Sequence, residues 1–305
     1  MEIKYLKREA IEDKKWNGCV HFALNSLPYG YTWYLDNVAE TWDGLVLGDY
    51  RAVMPLPWNK KLKWKYIYTP IFAQQLGVFS LKPISQNLLK LFIDAIPEEF
   101  ALVDQNINFM NPFLRSDFQR WEKTNLELSL QNDYESIRKN YSKNTLRNLK
   151  KAEKNQLRIT NNVKPETLVS FFKTHIGQNL DFMRNADYHT LHRIIYQSMH
   201  YGMAGTYGVY SKENHLVATA YFIYGKSRMI NLLPASNDYG KSIGAMTQLY
   251  DYIIRANCEK KFTLDFEGSM IPSIARYYKG FGAEAVKYWQ IKRNQLPWYI
   301  KWFKQ

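Results

Sequence analysis

The last quarter of the chain opens with alternating apolar and polar positions, which then give way to helical spacing. Residues 262–267 alternate between Phe or Leu and Thr, Asp or Glu, a pattern that predicts a β-strand. Gly268-Ser269 breaks this strand, and apolar side chains then recur at helical spacing between residues 272 and 281. The alternation predicts that Asp265 and Glu267 share one face of the strand, beside a helix that carries two adjacent tyrosines.

The rest of the chain shows the same two periods, grouped into two cycles of similar order. In the first cycle we predict helices at residues 16–27 and 83–96, and strands at residues 32–35, 44–47, 50–56, 66–69 and 101–109. In the second we predict helices at 133–140, 143–154, 165–179, 189–201 and 243–257, and strands at 124–130, 157–160, 205–210, 216–224, 227–234 and 288–293. The repeated order predicts an α+β protein of two similar domains, residues 1–122 and 123–305, each with a mixed, mostly antiparallel central sheet flanked by helices.

The amino-acid composition favours anionic binding partners but does not distinguish one class of them from another. The net charge of +13 favours nucleic acid, phosphorylated ligands or a membrane surface. Two distant cysteines, Cys19 and Cys258, make neither a disulfide framework nor a metal site, and the six histidines form no ligand set, so we expect no metal. No apolar run approaches the roughly 18 residues of a spanning helix, and the start of the chain lacks the apolar core of a signal peptide, so we expect a cytoplasmic protein.

The two acids and the two tyrosines of the last quarter are candidates for proton transfer. A same-face pair, Asp265 and Glu267, can bind an amine or raise one pKa enough for base work, although a salt-bridged strand end is the alternative. Tyr277 or Tyr278 can act as a general acid toward a leaving group, although a buried aromatic is the commoner fate of a helical tyrosine. Adjacent helical residues point to different faces, so we expect at most one of these tyrosines to face a cleft.

A strand followed by a glycine-containing helix entry forms a candidate anion site. Pro234 cannot complete a strand ladder, so its strand must bulge or lie at an edge. The next residues lead into a helix whose first turn contains small residues, and helix N-termini bind anions. Lys241 adds positive charge. An ordinary strand–loop–helix connection stays open as the alternative.

Two further segments carry positive charge. Residues 138–158 hold eight Lys or Arg against one acid, and the narrow apolar stripe of the helix at 143–154 leaves the basic residues on its outer face. This face suits the phosphates of RNA or of an activated sugar, and a solvated helix face is the alternative. The aromatic and basic segment at residues 296–304 suits peripheral contact with a membrane interface, with packing on the protein body as the alternative.

The order of elements from Gly205 to Arg293 resembles the GNAT acyltransferase core: antiparallel strands, a bulged strand, an anion-binding turn and helix, a strand, and a helix that ends Tyr-x-x-x-Gly. The segment Tyr278-Lys-Gly-Phe-Gly282 matches that ending. With Asp265-Phe-Glu-Gly268 and the basic helix that begins at Ser142, the chain more narrowly resembles the FemABX group, whose members carry two GNAT-like domains. The resemblance implies an N-terminal GNAT-like domain without its own active site and a C-terminal one with the donor site.

The resemblance implies transfer of an acyl or aminoacyl group to an amine. GNAT enzymes use an acyl-coenzyme A donor, whereas FemABX members use aminoacyl-tRNA and modify peptidoglycan precursors. Tyr278 is then expected as the leaving-group acid, and Leu232 and Leu233, before a bulge at Pro234, would offer backbone groups to the donor arm. The residues expected to meet the donor phosphates are Gly240, Lys241, Ser242, Gly244 and Ala245.

One departure from the GNAT pattern bears on the donor. The GNAT turn reads Gln/Arg-x-x-Gly-x-Gly/Ala, whereas this chain has Lys241 at the first place and Met246 at the last. A bulky Met crowds the point where a pyrophosphate approaches, which leaves room for an RNA-linked donor or a changed site. Two rival functions stay open: a coenzyme A-dependent acetyltransferase acting on a small amine or sugar, and a non-catalytic RNA- or phosphate-binding module.

The acceptor is expected in a cleft between the two halves, near the loop after residue 68 and the basic helix. We expect it to be an amine-bearing small molecule or a cell-wall precursor, with tRNA as a further partner and no DNA. The candidate acceptor-binding residues are Tyr68, Gln74, Gln75 and Arg147. Asp265, Glu267 or a water that they hold would take the proton of the acceptor amine.

Overall fold

A computed structural model of the chain describes residues 2–112, 118–267 and 270–297. Short 3-10 turns lie at Arg8–Ala10, Pro28–Gly30 and Gly177–Asn179. The α-helices are α1 (Asp13–Phe22), α2 (Thr32–Val38), α3 (Gln86–Asp94), α4 (Tyr134–Arg138), α5 (Lys143–Lys154), α6 (Pro165–His175), α7 (Asn185–His200), α8 (Asp238–Ile243), α9 (Ala245–Asn257) and α10 (Pro272–Lys279).

The strands follow the two cycles expected from the sequence. They are β1 (Ile3–Lys7), β2 (Thr41–Leu47), β3 (Ala52–Lys61), β4 (Trp64–Tyr68), β5 (Phe79–Ser80), β6 (Phe100–Ile107), β7 (Gln119–Ser129), β8 (Arg158–Asn161), β9 (Ala204–Tyr210), β10 (Leu216–Tyr224), β11 (Arg228–Ser236), β12 (Thr263–Asp265) and β13 (Glu284–Asn294).

The chain divides into two compact units, Met1–Lys123 with Lys287–Gln305, and Thr124–Val286. In the first unit the strands lie in the order β1-β2-β3-β4-β6-β13, and β5 pairs with β3. All these pairings are antiparallel except β4 with β6. The segment from Lys287 onward groups with the first unit, whereas the sequence boundary at residue 122 assigned it to the second half.

In the second unit the strands lie in the order β7-β12-β11-β10-β9-β8. Its pairings are antiparallel except β11 with β12. Helix α9 packs Leu249 and Ile253 into the same core as Phe222, Leu264 and Phe281. The predicted α+β class with mixed, mostly antiparallel sheets is confirmed.

Strand β11 contains the bulge that Pro234 predicts, but the extra residue lies two positions earlier. In the antiparallel ladder with β10, Tyr221 pairs with Leu233 and Phe222 pairs with Asn231, so Leu232 is the inserted residue. Strand β12 pairs only with Arg228–Ile230 of β11. Beyond that point the same edge of β11 has no paired strand among the described residues, and Pro234 is tolerated there because no ladder needs its missing N–H.

One predicted strand was wrong in type, and one short helix was not predicted. Residues 32–35 form the start of helix α2 rather than a strand. The helix expected at 243–257 is preceded by a separate short helix, α8, and the two are divided at Gly244, whose φ is +80°. Only glycine fits at this break, because a Cβ there would lie 2.6 Å from the carbonyl oxygen of Asn148 on α5.

Candidate functional site

A cavity of about 390 Å³ lies in the second unit, where the unpaired edge of β11 faces helices α8, α9 and α10. Pro234, Ala235 and Ser236 form its strand wall. This wall exists because β12 stops pairing at Ile230 and the bulge at Leu232 bends the strand that continues. The cavity therefore lies beside backbone that is free of a neighbouring strand.

Three tyrosines also line the cavity. Tyr250 comes from α9, and both Tyr277 and Tyr278 come from α10. We expected at most one of the adjacent pair to face a cleft, but both line this cavity. Burial raises the pKa of each of the three phenols above its ordinary value, so all three remain protonated at neutral pH.

Polar partners hold these phenols. The Nδ2 of Asn231 on β11 donates to the Tyr250 hydroxyl at 2.8 Å, and the Thr247 and Tyr277 hydroxyls are hydrogen-bonded at 3.0 Å. The ring of Tyr278 stacks on Phe266 with 4.5 Å between the ring centroids. Tyr278 is therefore held by the packing of its ring against Phe266.

The helical side of the cavity contains part of the predicted phosphate turn. Gly240, Lys241 and Gly244 line the cavity, together with Met246. Lys241 is exposed and forms an ion pair with Asp238 at 2.9 Å. The predicted turn is thus a helix, α8, rather than an open loop, and the Met246 side chain adjoins the space as its bulk suggested.

The remaining predicted donor residues do not line the cavity. Leu232, Leu233 and Ala245 are buried. Ser242 is exposed, and its hydroxyl donates to the Tyr239 carbonyl oxygen at 2.8 Å. Leu232 and Leu233 lie at the bulge itself, so their backbone rather than their side chains borders the unpaired edge.

Asp265 is part of a buried ion-pair cluster. Its side chain is 1% exposed and accepts hydrogen bonds from Arg228 at 2.8 Å, from Asn125 at 2.9 Å and from the Glu267 backbone N–H at 2.8 Å. Arg228 also contacts Glu127 at 2.6 Å. Because both oxygens of Asp265 accept hydrogen bonds from the protein, the carboxylate stabilises the strand end.

Glu267 does not share a strand face with Asp265 as the alternation predicted. Strand β12 ends at Asp265, and Glu267 has a φ of +56°, in the left-handed region, so the alternation stops between them. Glu267 is partly buried, and its negative charge adds to burial in raising the pKa of Tyr278. Of the two acids, Glu267 is therefore the one electrostatically close to a cavity tyrosine. The following residues, Gly268-Ser269, lie outside the described part of the chain.

The predicted acceptor residues are dispersed. Tyr68 lines a separate cavity of about 320 Å³ in the first unit, with Asp104 and Asn106 among its polar walls. Gln75 is buried, donates to the Gln74 side chain at 2.7 Å and accepts from the Phe109 N–H at 2.9 Å.

Arg147 belongs to the second unit and is exposed on α5, where it donates to Asn144 at 2.6 Å. The aromatic tail of the chain, from residue 298, lies outside the described residues. Across residues 2–112, 118–267 and 270–297, no helix has the length and apolar character needed to cross a membrane. Within the same ranges, no three His, Cys, Asp or Glu side chains are grouped as metal ligands.

Asn231, Thr247 and Tyr250 were missed from the sequence. Thr247 and Tyr250 are three residues apart on α9, so they share a face, and this face otherwise carries apolar residues. Polar positions within an apolar helical stripe were the available signal for these two. Asn231 in a buried strand carried a similar signal, because a buried amide needs partners.

No protein-family model matches the sequence, and no curated protein matches it. Solved structures do match. The FemX crystal structure covers 100% of both chains with a TM-score of 0.69 at 13% identity. The L-PGS structure from Bacillus licheniformis covers 86% of this chain and 87% of its own, with a TM-score of 0.52 at 9% identity. A tandem GNAT protein from the clavulanic acid biosynthesis pathway covers 97% and 99%, with a TM-score of 0.50 at 12% identity.

The fold is that of tandem GNAT proteins. Within this class, the similarity to FemX over the whole chain confirms, at the level of the fold, the FemABX-like resemblance that the sequence predicts. At 13% identity or less, these similarities establish the fold alone.

Proposed function

We propose that the protein is an N-acyltransferase that moves an acyl or aminoacyl group from an activated donor to an amine. The observation that carries this proposal is the cavity in the second unit, which combines an unpaired strand edge with protonated tyrosines on a tandem GNAT fold. A strand edge offers backbone groups to an extended donor arm, and a phenol offers a proton to a leaving group.

The reaction gives Tyr278 and Glu267 one role each. The acceptor amine attacks the carbonyl carbon, a C–N bond forms, and the carbonyl electron pair moves to oxygen. Collapse of this intermediate breaks the bond to the leaving group, which takes the proton of the Tyr278 hydroxyl. Glu267, close to Tyr278, accepts the proton that the amine loses, directly or through water.

The raised pKa of Tyr278 favours an ester donor over a thioester. A free thiol has a pKa of about 8.5 and a free tyrosine about 10, so proton transfer from a phenol with a raised pKa to a thiolate is uphill. An alkoxide leaving group is more basic than a thiolate, so proton transfer from Tyr278 to an alkoxide is the more favourable of the two. Aminoacyl-tRNA, whose aminoacyl group is esterified to a ribose hydroxyl, fits this requirement better than acyl-coenzyme A.

The helical side of the cavity supports the same preference. The Cβ position of Gly244 faces the Asn148 carbonyl oxygen at 2.6 Å, and Met246 borders the cavity. A carbonyl oxygen repels the negative charge of a diphosphate, and a methionine offers it no hydrogen-bond donor. We therefore propose an RNA-linked donor, with acyl-coenzyme A as the less favoured alternative.

We propose that the donor binds in the second unit. For the acceptor we keep the binding residues predicted from the sequence, of which Tyr68 borders a polar cavity and Arg147 is exposed. By resemblance, the acceptor is an amine-bearing small molecule or a cell-wall precursor. The basic face of α5 equally suits an RNA-binding module without catalysis, which is the second candidate function.

The test is transfer of label from charged tRNA or acyl-coenzyme A to a broad panel of amines by the purified chain. We expect transfer from charged tRNA, and a fall of about 100-fold or more in kcat for Tyr278→Phe and for Glu267→Gln, typical of a lost acid or base. Absence of transfer from every donor contradicts the proposal. Retention of RNA binding with no transfer supports the non-catalytic module instead.

A further inference from the structure

Three buried polar side chains meet beneath the cavity of the second unit. Asn231 and Tyr250 are each 1% exposed and Tyr278 is 6% exposed. The Asn231 Nδ2 donates to the Tyr250 hydroxyl at 2.8 Å, and the rings of Tyr250 and Tyr278 lie 6.0 Å apart, edge to face. Tyr250 and Tyr278 both line the cavity. The Asn231 amide is therefore hydrogen-bonded to Tyr250, whose ring contacts the ring of Tyr278 at the cavity wall.

Asn231 sets the direction of the hydrogen bond that it makes with Tyr250. Its amide nitrogen carries only protons to give, so the Tyr250 oxygen must accept. Burial raises the pKa of Tyr278, and hydrogen bonds from Tyr250 and Asn231 oppose that rise, as donors to a phenol oxygen do. A phenol oxygen that already accepts these bonds keeps its own proton for another partner, and the open space beside Tyr278 is the cavity.

The free-energy cost of burying the Asn231 side-chain amide also favours a functional role for this residue. The Asn231 Oδ1 is buried and has no hydrogen-bond partner among the described residues. An orphaned buried acceptor is unfavourable, and a leucine of similar shape would fill this space without it. The side chain is therefore better explained by its donors than by packing, as is common for stranded polar groups at functional sites.

We infer that Asn231 is a positioning residue that, by donating to the Tyr250 hydroxyl at the base of the tyrosine pair, keeps the Tyr278 proton directed into the cavity. The inference rests on the proposed function, because it concerns the acid of that reaction. It adds that the acid depends on a hydrogen-bond donor in the bulged strand that does not itself line the cavity.

The test is Asn231→Asp, which keeps the shape and reverses the hydrogen bonding. An ionised carboxylate only accepts, so it draws the phenol protons toward itself and away from the cavity. We expect kcat at neutral pH to fall by about 100-fold, with the KM for the donor within about 3-fold of wild type. As the pH is lowered, the carboxyl takes up a proton and donates again, so the ratio of variant to wild-type kcat rises.

Two further variants keep the experiment interpretable. Asn25→Asp introduces the same change at another asparagine that is 1% exposed, in the first unit, and its kcat ratio is expected to be flat with pH. Asn231→Leu removes the donor without adding charge, so it covers the case in which Asn231→Asp does not fold. It is expected to lose kcat by a similar factor, with no recovery at low pH.

The outcomes separate the two claims. Wild-type kcat values matched by Asn231→Leu, or a ratio for Asn231→Asp that is low and flat across pH, overturn the positioning inference alone. A wild-type chain that transfers no acyl group from any donor overturns the proposed function, and the inference falls with it. A pH-dependent recovery in Asn231→Asp alone supports both.

Discussion

Thr219 on β10 is a buried side chain whose hydroxyl has no hydrogen-bond partner among the described residues. A hydroxyl taken from water without compensation costs free energy, and a methyl group of the same shape does not. We expect Thr219→Val to raise the free energy of unfolding by about 1 kcal/mol, measured by urea denaturation. Thr247→Val is the matched control: its hydroxyl is bonded to Tyr277, so the same change should lower stability. A lower stability for Thr219→Val contradicts the expectation.

At Tyr278 the contribution of the hydroxyl group can be measured separately from that of the aromatic ring. Its ring stacks on Phe266 at an interplanar angle of 19° and meets Tyr250 edge to face. A phenylalanine keeps these ring contacts, so the loss of kcat expected for Tyr278→Phe reports on the hydroxyl rather than on packing. The proposed catalytic role of Tyr278 therefore depends on its hydroxyl group.

At the scale of elements, Arg228 joins three strands of the second sheet. From β11 it contacts Glu127 of β7 and Asp265 of β12, and all three side chains are largely buried. Burial raises the pKa of Glu127, and the charge of Arg228 opposes that rise. Because the folded-state pKa is raised, the contribution of Glu127 to stability is fully present below its unfolded pKa and is lost as the pH rises through the folded one.

Removal of the arginine should enlarge this pH dependence. Arg228→Leu leaves two buried carboxylates without a counter-charge, which we expect to cost about 3–5 kcal/mol at pH 7. Protonation of Glu127 relieves part of that cost, so the difference from wild type should shrink toward pH 5. Urea denaturation of both proteins at the two pH values measures it. A difference that is the same at both pH values would show that the cluster is not titrating.

Where local signals agree, the elements could be predicted from the sequence. The basic helix was expected at residues 143–154 and α5 spans those residues, because Ser142 caps its Thr145 N–H and Leu149 and Ala152 form its apolar stripe. Helix α2 was mistaken for a strand because its residues, including Trp33 and Tyr34, are buried on nearly all sides. With no polar face there is no helical period, and aromatic side chains favour a strand.

The site was predictable only in its local parts. Tyr278 and the glycines of the 240–244 segment reach the cavity because their positions follow from spacing along one helix or turn. The role of Asp265 did not follow, because Arg228 and Asn125, which bind it, lie 37 and 140 residues away in the chain. Asn231 was missed for the same reason: its partner Tyr250 belongs to a different element.

At the scale of the whole molecule, the net charge of +13 predicts salt-sensitive binding of RNA. Lys150 and Lys151 are exposed on α5. We expect Lys150→Glu with Lys151→Glu to weaken tRNA binding by roughly 10-fold or more near physiological salt and to flatten the salt dependence of log K by about 1 to 2 units. Filter binding at several salt concentrations measures both.

A matched pair of lysines controls for total charge. Lys60 and Lys61 are exposed at the end of β3 in the first unit, and changing both to Glu alters the net charge equally. If the α5 face binds RNA, this control should retain most of the affinity and the salt slope. Equal losses for the two pairs would mean that net charge alone, rather than the α5 face, attracts tRNA.

The bulge at Leu232 has a consequence for how the site tolerates insertions and deletions. Side chains of a strand alternate between two faces, and the pairing with the neighbouring strand sets the face of each. Pro234, Ala235 and Ser236 border the cavity and lie opposite Ala220, Thr219 and Ala218 of β10. Deletion of Leu232 would restore a regular ladder and leave these three pairs, and so the face of each side chain, unchanged. The bulge is therefore a place in β11 where one residue can be lost while the side chains that border the cavity keep their faces.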